Sequence, residues 1–371
     1  MWRSGLVRSL SRRYSRAFSV VSSSSNSVVS TPSFGIAFDI DGVLIRGGHK
    51  LPKAKRVLQS LRANNVPHIF LTNGGGCMEE KKAENLSNIL DLPINPEHMI
   101  LSHTPMREIA KTYGDKRVLI MGSHDVWHVA KCYGFKKVVS VEDLLHHHPT
   151  QYPFIHYEQR PAPHHEEPID AIIVMHDPIN WAPDIQVAVD VLIGGDPPGS
   201  GRPSGKQTPL FISNDDFVFS GAYPFPRFAQ GTAQGYSDGA RSTTRSNVSL
   251  YYIGAFTRCL KLLYEDLTGR KLEVTNYGKP HIITYNYAER LLNTISGQSE
   301  PLKHMYGIGD NPLSDIQGAN NAGDEWTSIL VRTGIYDGSK DPEHEPDVTV
   351  DDVYEAIKHI YKREGINDST L

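Results

Sequence analysis

Two aspartates at the end of an apolar run are the first residues that could do chemistry. Asp39 and Asp41 follow the run 34–38 and precede Gly42. Such a run is typical of a buried parallel strand, and side chains two residues apart on a strand face the same side. We therefore expect both carboxylates to face one pocket, although the same residues would suit an ordinary turn. Because neighbouring carboxylates repel each other, this pocket would suit magnesium, which prefers oxygen ligands.

A hydroxyl and a glycine triplet follow the next apolar run. Thr72, Asn73 and Gly74 come directly after residues 69–71, and Gly75 and Gly76 complete the triplet. A helical pattern over 51–65 separates the two runs, so strand, helix and strand predict a parallel crossover with both strand ends at one edge. A hydroxyl beside free backbone N–H groups could hold a phosphate, while a glycine triplet alone would also suit a flexible turn.

A lysine and two further aspartates occur near the end of the chain. We predict a strand over 272–275, then Lys279 at the start of a helix that has Pro280 in its first turn. Asp310 and Asn311 follow a predicted strand over 304–309, and Asp315 falls in the next helical turn. In isolation, Lys279 could be an exposed loop lysine and Asp315 could be a helix cap.

Strand and helix patterns alternate on both sides of a long middle segment. The segment has predicted strands of its own at 117–121, 171–175 and 210–213, separated by polar loops at 146–168, 196–208 and 222–248. A long helix is predicted over 251–267 and a final helix over 350–361. We therefore predict an α/β fold with a doubly wound parallel sheet, formed by residues 34–104 and 273–371, and an inserted α/β domain at 105–272.

The first 33 residues differ in charge from the rest of the chain. They contain five arginines and no acid, whereas the whole chain of 371 residues has a formal charge of −4, so the remainder carries about −9. An arginine- and serine-rich leader is typical of a mitochondrial transit peptide, with a plastid signal or a basic tail as alternatives. The acidic remainder argues against a nucleic-acid partner. The sequence has no apolar run long enough for a transmembrane segment.

Cysteine and histidine show no pattern of metal or disulfide chemistry. The three cysteines, Cys77, Cys132 and Cys259, are widely spaced, and an odd number does not suit a disulfide framework. The histidines between 146 and 165 fall in a predicted loop without the spacing of metal ligands. We interpret them as a solvated tract.

The four motifs, in this order, resemble those of the haloacid dehalogenase superfamily. The acid pair, Thr72-Asn73, Gly278-Lys279-Pro280 and Gly309-Asp310-Asn311 correspond to its four motifs. An insert between the second and third motifs is similar to the large-cap group, subfamily IIA, and the leader resembles its eukaryotic mitochondrial branch. The resemblance covers nearly all of the chain from Phe34 onwards, and it implies a Rossmann-like core with a cap domain.

The resemblance also implies roles for single residues. Asp39 would be the nucleophile that forms an aspartyl phosphate, and Asp41 would act as acid and then as base. Thr72, with the backbone of Asn73 and Gly74, would hold the phosphoryl group. Lys279 would neutralise charge on the nucleophile and the phosphate. Mg2+ would be held by the Asp39 carboxylate, the Asp41 carbonyl and the Asp310 carboxylate. Asp315 and Asn311 would support the site.

The implied activity is a magnesium-dependent phosphatase of the mitochondrial matrix. Gly74 and Gly75 depart from the asparagine that many large-cap relatives carry after Thr-Asn, so the phosphate contacts could differ. A large cap favours a small phosphorylated metabolite, and the mitochondrial branch suggests a link to glycerophospholipid metabolism without naming a substrate. Relatives are often dimers, so a homodimer is compatible with the resemblance. A binding protein without turnover and a phosphotransferase or mutase are the alternatives.

Overall fold

The computed structural model describes residues 32–123, 125–194, 206–214, 216–219, 227–231 and 255–371. The predicted leader, except for its last two residues, lies outside the described residues. So do most of the predicted loops 196–208 and 222–248 and the first four residues of the helix predicted over 251–267. Among the described residues, no helix combines the length and the apolar character needed to cross a membrane.

The strands and helices are numbered along the chain. The strands are β1 (Phe34–Phe38), β2 (Ile45–Arg46), β3 (His49–Lys50), β4 (His68–Leu71), β5 (Met99–Ile100), β6 (Arg117–Met121), β7 (Lys137–Val139), β8 (Ala171–Val174), β9 (Leu210–Ile212), β10 (Asp216–Phe219), β11 (Arg227–Gly231), β12 (Thr275–Asn276), β13 (His304–Gly309), β14 (Trp326–Val331) and β15 (Val348–Val350). The α-helices are α1 (Ala54–Ala63), α2 (Glu79–Leu90), α3 (Ala110–Tyr113), α4 (Val126–Cys132), α5 (Val141–His147), α6 (Trp181–Gly194), α7 (Ala255–Thr268), α8 (Ile282–Ser296), α9 (Gln317–Asn321) and α10 (Val353–Glu364).

The first sheet has six parallel strands in the order β15-β14-β13-β1-β4-β5. Helices cover both of its faces: α1 and α10 pack in one apolar cluster, and α8 and α9 pack in the cluster on the opposite face. Because β1 is fully buried between β13 and β4, its apolar residues show no polar alternation. The predicted α/β fold with a doubly wound parallel sheet is confirmed.

The second sheet is also parallel and has the order β12-β9-β8-β6-β7. Four of its strands come from the middle segment, and β12 comes from residues after it. The strand predicted over 272–275 was therefore misplaced: residues 275–276 form β12, which pairs with β9 in the second sheet. Apolar side chains of α5, α6 and α7 pack on one face of this sheet, while α4 packs on the other.

Two helix starts differ from the sequence-based prediction. Pro280 lies before α8, which begins at Ile282. The last helix begins at Val353 instead of Val350, because residues 348–350 extend along β14 as the edge strand β15. These two differences concern helix starts only, and they do not affect the carboxyl ends of the strands along one edge of the first sheet.

Candidate active site

Three aspartates meet at the carboxyl ends of β1 and β13. Asp39 directly follows β1, Asp310 directly follows β13, and Asp315 lies in the turn after β13. All three side chains are buried, and one carboxylate oxygen from each lies within 4.8 Å of the others. Parallel neighbouring strands explain this meeting, since Phe38 pairs with Ile308 at the ends of β1 and β13.

Lys279 follows β12 of the second sheet and contacts two of these aspartates. Its Nζ donates hydrogen bonds to Asp39 Oδ1 at 2.5 Å and to Asp315 Oδ1 at 2.6 Å, and its side chain is only 4% exposed. The Asn73 side chain fixes the lysine backbone, since Asn73 Oδ1 accepts from Lys279 N at 2.7 Å and Nδ2 donates to Lys279 O at 2.9 Å. Asn73 thus positions Lys279 through its side chain.

Asp315 holds the loop that presents Asp310. Its Oδ2 accepts hydrogen bonds from the backbone N–H groups of Asp310 and Asn311, at 3.1 and 3.0 Å. The Asn311 side chain accepts from Leu313 N and starts a π-helical turn over Pro312–Ile316. Gly309 is required here because a Cβ at this position would overlap the Asp315 side chain. Asp315 and Asn311 therefore hold the loop that carries Asp310 through these hydrogen bonds.

The Asp310 carboxylate lies in a tight backbone cradle. Ile335 N donates to Asp310 Oδ2 at 2.6 Å, and a Cβ on either Gly42 or Gly334 would overlap the carboxylate. The contacts of Gly334 and Ile335 with Asp310 were not predicted from the sequence. Their only signal was a Thr-Gly turn after β14, which does not reveal its contact with a residue more than twenty positions earlier.

The charged groups of the site shift one another's pKa values. Burial raises the pKa of Asp39 well above its ordinary value; Lys279 opposes this effect, while Asp315 and Asp310 reinforce it. Burial and the Asp315 charge raise the pKa of Asp310 to about 7. Burial lowers the pKa of Lys279, but the Asp315 and Asp39 carboxylates outweigh it and hold that pKa well above 10.5. The ammonium thus stays charged among carboxylates that repel one another.

This donor set fits a divalent cation that prefers oxygen ligands. With all three carboxylates ionised, the buried cluster and its ammonium would carry two net negative charges, which a divalent cation would balance. Asp39 Oδ2 and Asp310 Oδ1 accept no hydrogen bond from another described residue. Hard carboxylate oxygens of this kind suit magnesium. Asp315 is less suited as a ligand because both of its oxygens already accept hydrogen bonds.

The Asp41 side chain lies outside the group of three buried carboxylates, and whether both acids face one pocket stays a prediction. β1 ends at Phe38, so the chain has already turned before Asp41, and the alternation of a strand does not apply there. The Asp41 side chain is 64% exposed, and its Oδ2 lies 3.9 Å from Lys82 Nζ. Asp41 still raises the pKa of Asp39, so the two carboxylates are close enough to interact. The position of Lys82 beside Asp41 was not predicted from the sequence.

Thr72 and Gly74 contact each other. Thr72 is buried directly after β4, and its Oγ1 accepts a hydrogen bond from Gly74 N at 3.1 Å. The Gly74 N–H that we expected to be free for a phosphate is therefore engaged with this hydroxyl. Thr72 lies at the same sheet edge as Asp39, because β4 pairs with β1.

Loops of the second sheet reach the glycine triplet and Lys279. Asp125 N donates to Gly76 O at 3.1 Å. A Cβ on Gly278 would lie 2.6 Å from Ser213 O and 2.9 Å from Asn73 Oδ1. The carboxyl ends of the second sheet thus border the site formed at the first sheet.

A pH-dependent stability effect follows from the buried Asp310. Because its pKa is about 7 in the folded protein and near 3.8 otherwise, the folded state binds the proton more tightly. Without metal, the contribution of Asp310 to stability should therefore fall as pH rises from about 4 to about 7 and then level off. Asp310→Asn should remove this part of the slope and raise the free energy of unfolding at pH 8 by on the order of 2 kcal/mol.

Urea unfolding in EDTA at pH 4.5 and pH 8 measures this effect. In parallel, added magnesium should stabilise the wild type and leave Asp310→Asn nearly unchanged. A variant that is less stable than the wild type at pH 8 without metal would contradict the account of Asp310.

The fold and the site together define an α/β enzyme with an acidic, lysine-containing centre at the ends of parallel strands. Residues 36–136 match a family model described as haloacid dehalogenase-like hydrolase, and residues 276–356 match one described as HAD-hydrolase-like. A mitochondrial hydrolase of Saccharomyces cerevisiae is 33% identical over 358 residues, covering 86% of this chain and 93% of the relative. The chain belongs to the haloacid dehalogenase-like hydrolase family, which confirms the resemblance.

Further relatives include a fusion protein and several solved structures. A cardiolipin synthase (CMP-forming)/mitochondrial hydrolase fusion protein of Schizosaccharomyces pombe is 34% identical over 368 residues, covering 95% of this chain but only 56% of the fusion protein. A hypothetical protein from Pyrococcus horikoshii has a TM-score of 0.61 at 19% identity, covering 88% of this chain and 99% of that one. A p-nitrophenyl phosphatase from Archaeoglobus fulgidus has a TM-score of 0.59 at 16% identity, covering 88% and 98%. These two structures share the fold.

Proposed function

We propose that the chain is a magnesium-dependent phosphatase that hydrolyses a small phosphorylated metabolite through an aspartyl phosphate. The observation that carries this proposal is the environment of Asp39. One of its oxygens is held by Lys279, and the other accepts no hydrogen bond from another described residue at the open edge of the sheet. A carboxylate held in this way can act as a nucleophile.

In the first step, the Asp39 carboxylate attacks phosphorus and the ester P–O bond breaks. Asp41 donates its proton to the departing oxygen, so an alcohol leaves. In the second step, water attacks phosphorus while Asp41 takes a proton from it, and the bond between Asp39 and phosphorus breaks to release phosphate. Asp41 suits both steps because its exposed side chain can reach the leaving group and exchange protons with solvent.

The surrounding residues stabilise and orient these steps. Lys279 places a positive charge beside Asp39 and the phosphoryl oxygens, and Thr72 offers a hydroxyl to the same oxygens. Magnesium, held by the Asp39 carboxylate, the Asp41 backbone carbonyl and the Asp310 carboxylate, would further neutralise the phosphoryl oxygens. Asp315 keeps Lys279 and the Asp310 loop in position.

The position of the second sheet supports the proposal that the substrate is small. Its loops contact Gly76 and approach Gly278, so they border the edge at which Asp39 lies. One structural relative is named a p-nitrophenyl phosphatase, and this name is compatible with the proposal of phosphate ester cleavage. The fusion relative, which joins a cardiolipin synthase to a mitochondrial hydrolase, supports the link to glycerophospholipid metabolism. Glycerophosphate esters therefore belong in any substrate panel.

The proposed location is the mitochondrial matrix. The arginine-rich leader motivates it, and two relatives named as mitochondrial support it. A fluorescent protein fused to residues 1–40 should enter mitochondria, whereas the same fusion with its five arginines changed to glutamine should not. Cytosolic fluorescence from the unaltered fusion would contradict this location.

Inorganic phosphate released from small phosphomonoesters by the full chain tests the proposed function. We expect phosphate to appear in solution even when an alcohol is added as an acceptor. Transfer to the alcohol with little free phosphate would instead favour a phosphotransferase or mutase. Ligand-induced stabilisation without any turnover would favour a binding protein.

A further inference from the structure

Lys82 is a positive charge at the mouth of the site that the steps above do not use. It belongs to α2, and its Nζ lies 3.9 Å from Asp41 Oδ2 with 24% of the side chain exposed. A Cβ on Gly74 would lie 3.6 Å from this Nζ and 3.4 Å from Thr72 Oγ1. The ammonium therefore stands between Asp41 and the Thr72–Gly74 loop, and no side chain at position 74 covers it.

The described contacts of Lys82 leave its donors available. A separation of 3.9 Å is too long for a hydrogen bond, and an ion pair with an exposed carboxylate is weak. Lys82 has no other ion pair among the described residues, and an ammonium offers three donors. A ligand anion can therefore bind here without displacing a strong contact.

The position of Asp41 shows which part of a substrate Lys82 would meet. Lys279 lies on the side of the nucleophile, because it contacts Asp39 and Asp315. Nucleophile and leaving group lie on opposite sides of phosphorus in an in-line displacement. Since the proton donor must reach the leaving oxygen, the cation beside Asp41 lies on the side of the leaving group.

We propose that Lys82 binds an anionic group on the leaving alcohol, a carboxylate or a second phosphate close to the ester oxygen. The enzyme would then select small phosphomonoesters whose alcohol is itself negatively charged. This inference rests on the proposed phosphatase function and narrows its substrate class. An ammonium and an anion form a charge-assisted hydrogen bond, which a neutral group of the same shape cannot replace.

A pair of matched esters tests the inference. 2-Phosphoglycolate has a carboxylate one carbon from the ester oxygen, and 2-phosphoglycolamide is its neutral amide. We expect the full-length wild type to prefer the carboxylate in kcat/KM. Lys82→Met should lower this preference at least about tenfold, and Lys82→Arg should retain part of it. Lys81→Met removes an exposed charge from the same helix and should leave the preference within about twofold.

The outcomes separate this inference from the proposed function. If Lys82→Met slows both esters equally or leaves their ratio unchanged, Lys82 does not recognise the leaving group and the inference is wrong. If the wild type turns over neither ester, the proposed function fails for this class, and dissociation constants decide the role of Lys82. In that case, Asp39→Asn should bind the carboxylate ester more tightly than the amide, and Asp39→Asn with Lys82→Met should bind the two esters equally. If Asp39→Asn already binds the two esters equally, the inference is wrong.

Discussion

Asp39→Asn should lower kcat by at least about 10⁴-fold while the protein remains folded. The amide cannot attack phosphorus. Neither neighbouring aspartate can replace Asp39, because Asp310 lies in the backbone cradle beside Gly334 and Asp315 is bound to Lys279. Because burial raises the pKa of Asp39, removing its charge should not lower the melting temperature without metal. Steady-state phosphate release and thermal unfolding of the full chain measure the two effects.

A chemical trap identifies the atom that carries the phosphoryl group. Acid quenching during turnover, followed by borohydride reduction, should convert position 39 to homoserine in the wild type, detected by mass spectrometry. Asp315→Asn serves as a control because it should still show reduction at position 39 if any turnover remains. Reduction at another aspartate, or an Asp39→Asn variant that keeps more than about 1% of wild-type turnover, would contradict a nucleophilic Asp39.

Lys279→Met should reduce both turnover and stability. Lys279 is the buried cation that contacts both Asp39 and Asp315, so its loss leaves two uncompensated carboxylates. We expect kcat to fall by about 10³-fold, and the free energy of unfolding without metal to fall by about 3 to 5 kcal/mol. Kinetics and urea unfolding in EDTA measure these losses separately.

A double variant separates the two roles of Lys279. Lys279→Met with Asp315→Asn removes one of the orphaned charges, so it should recover much of the stability without recovering turnover. An unchanged free energy of unfolding in Lys279→Met, or a loss of kcat smaller than about tenfold, would show that the ammonium does not hold the site together.

The strand ends could be predicted from sequence because parallel strands share an edge. Apolar runs ending in Asp39, Thr72 and Asp310 place these residues together once β4, β1 and β13 are neighbours. Gly309 and Asp315 could be predicted in the same way, because both lie at the end of β13 or in the turn that directly follows it. The fold class and most of the carboxylate cluster therefore depend on patterns of a few residues.

The remaining features depend on contacts between distant segments. The pairing of β12 with β9 and the clamp of Asn73 on Lys279 join residues that no local pattern connects. The exposure of Asp41 was not predicted because the strand ends before it, and Lys82 was missed because a lysine in a helix is usually solvated. Only the folded chain shows that α2 brings this ammonium to the mouth of the site.

Magnesium-dependent phosphate release by the full chain tests the central claim most directly. The protein would be stripped with EDTA, incubated with a panel of small phosphomonoesters that includes glycerophosphates, and assayed for inorganic phosphate before and after magnesium is added. We predict release that is absent in EDTA and restored by magnesium. Release that EDTA leaves unchanged, or silence from a folded protein that magnesium stabilises, would contradict a magnesium-dependent phosphatase.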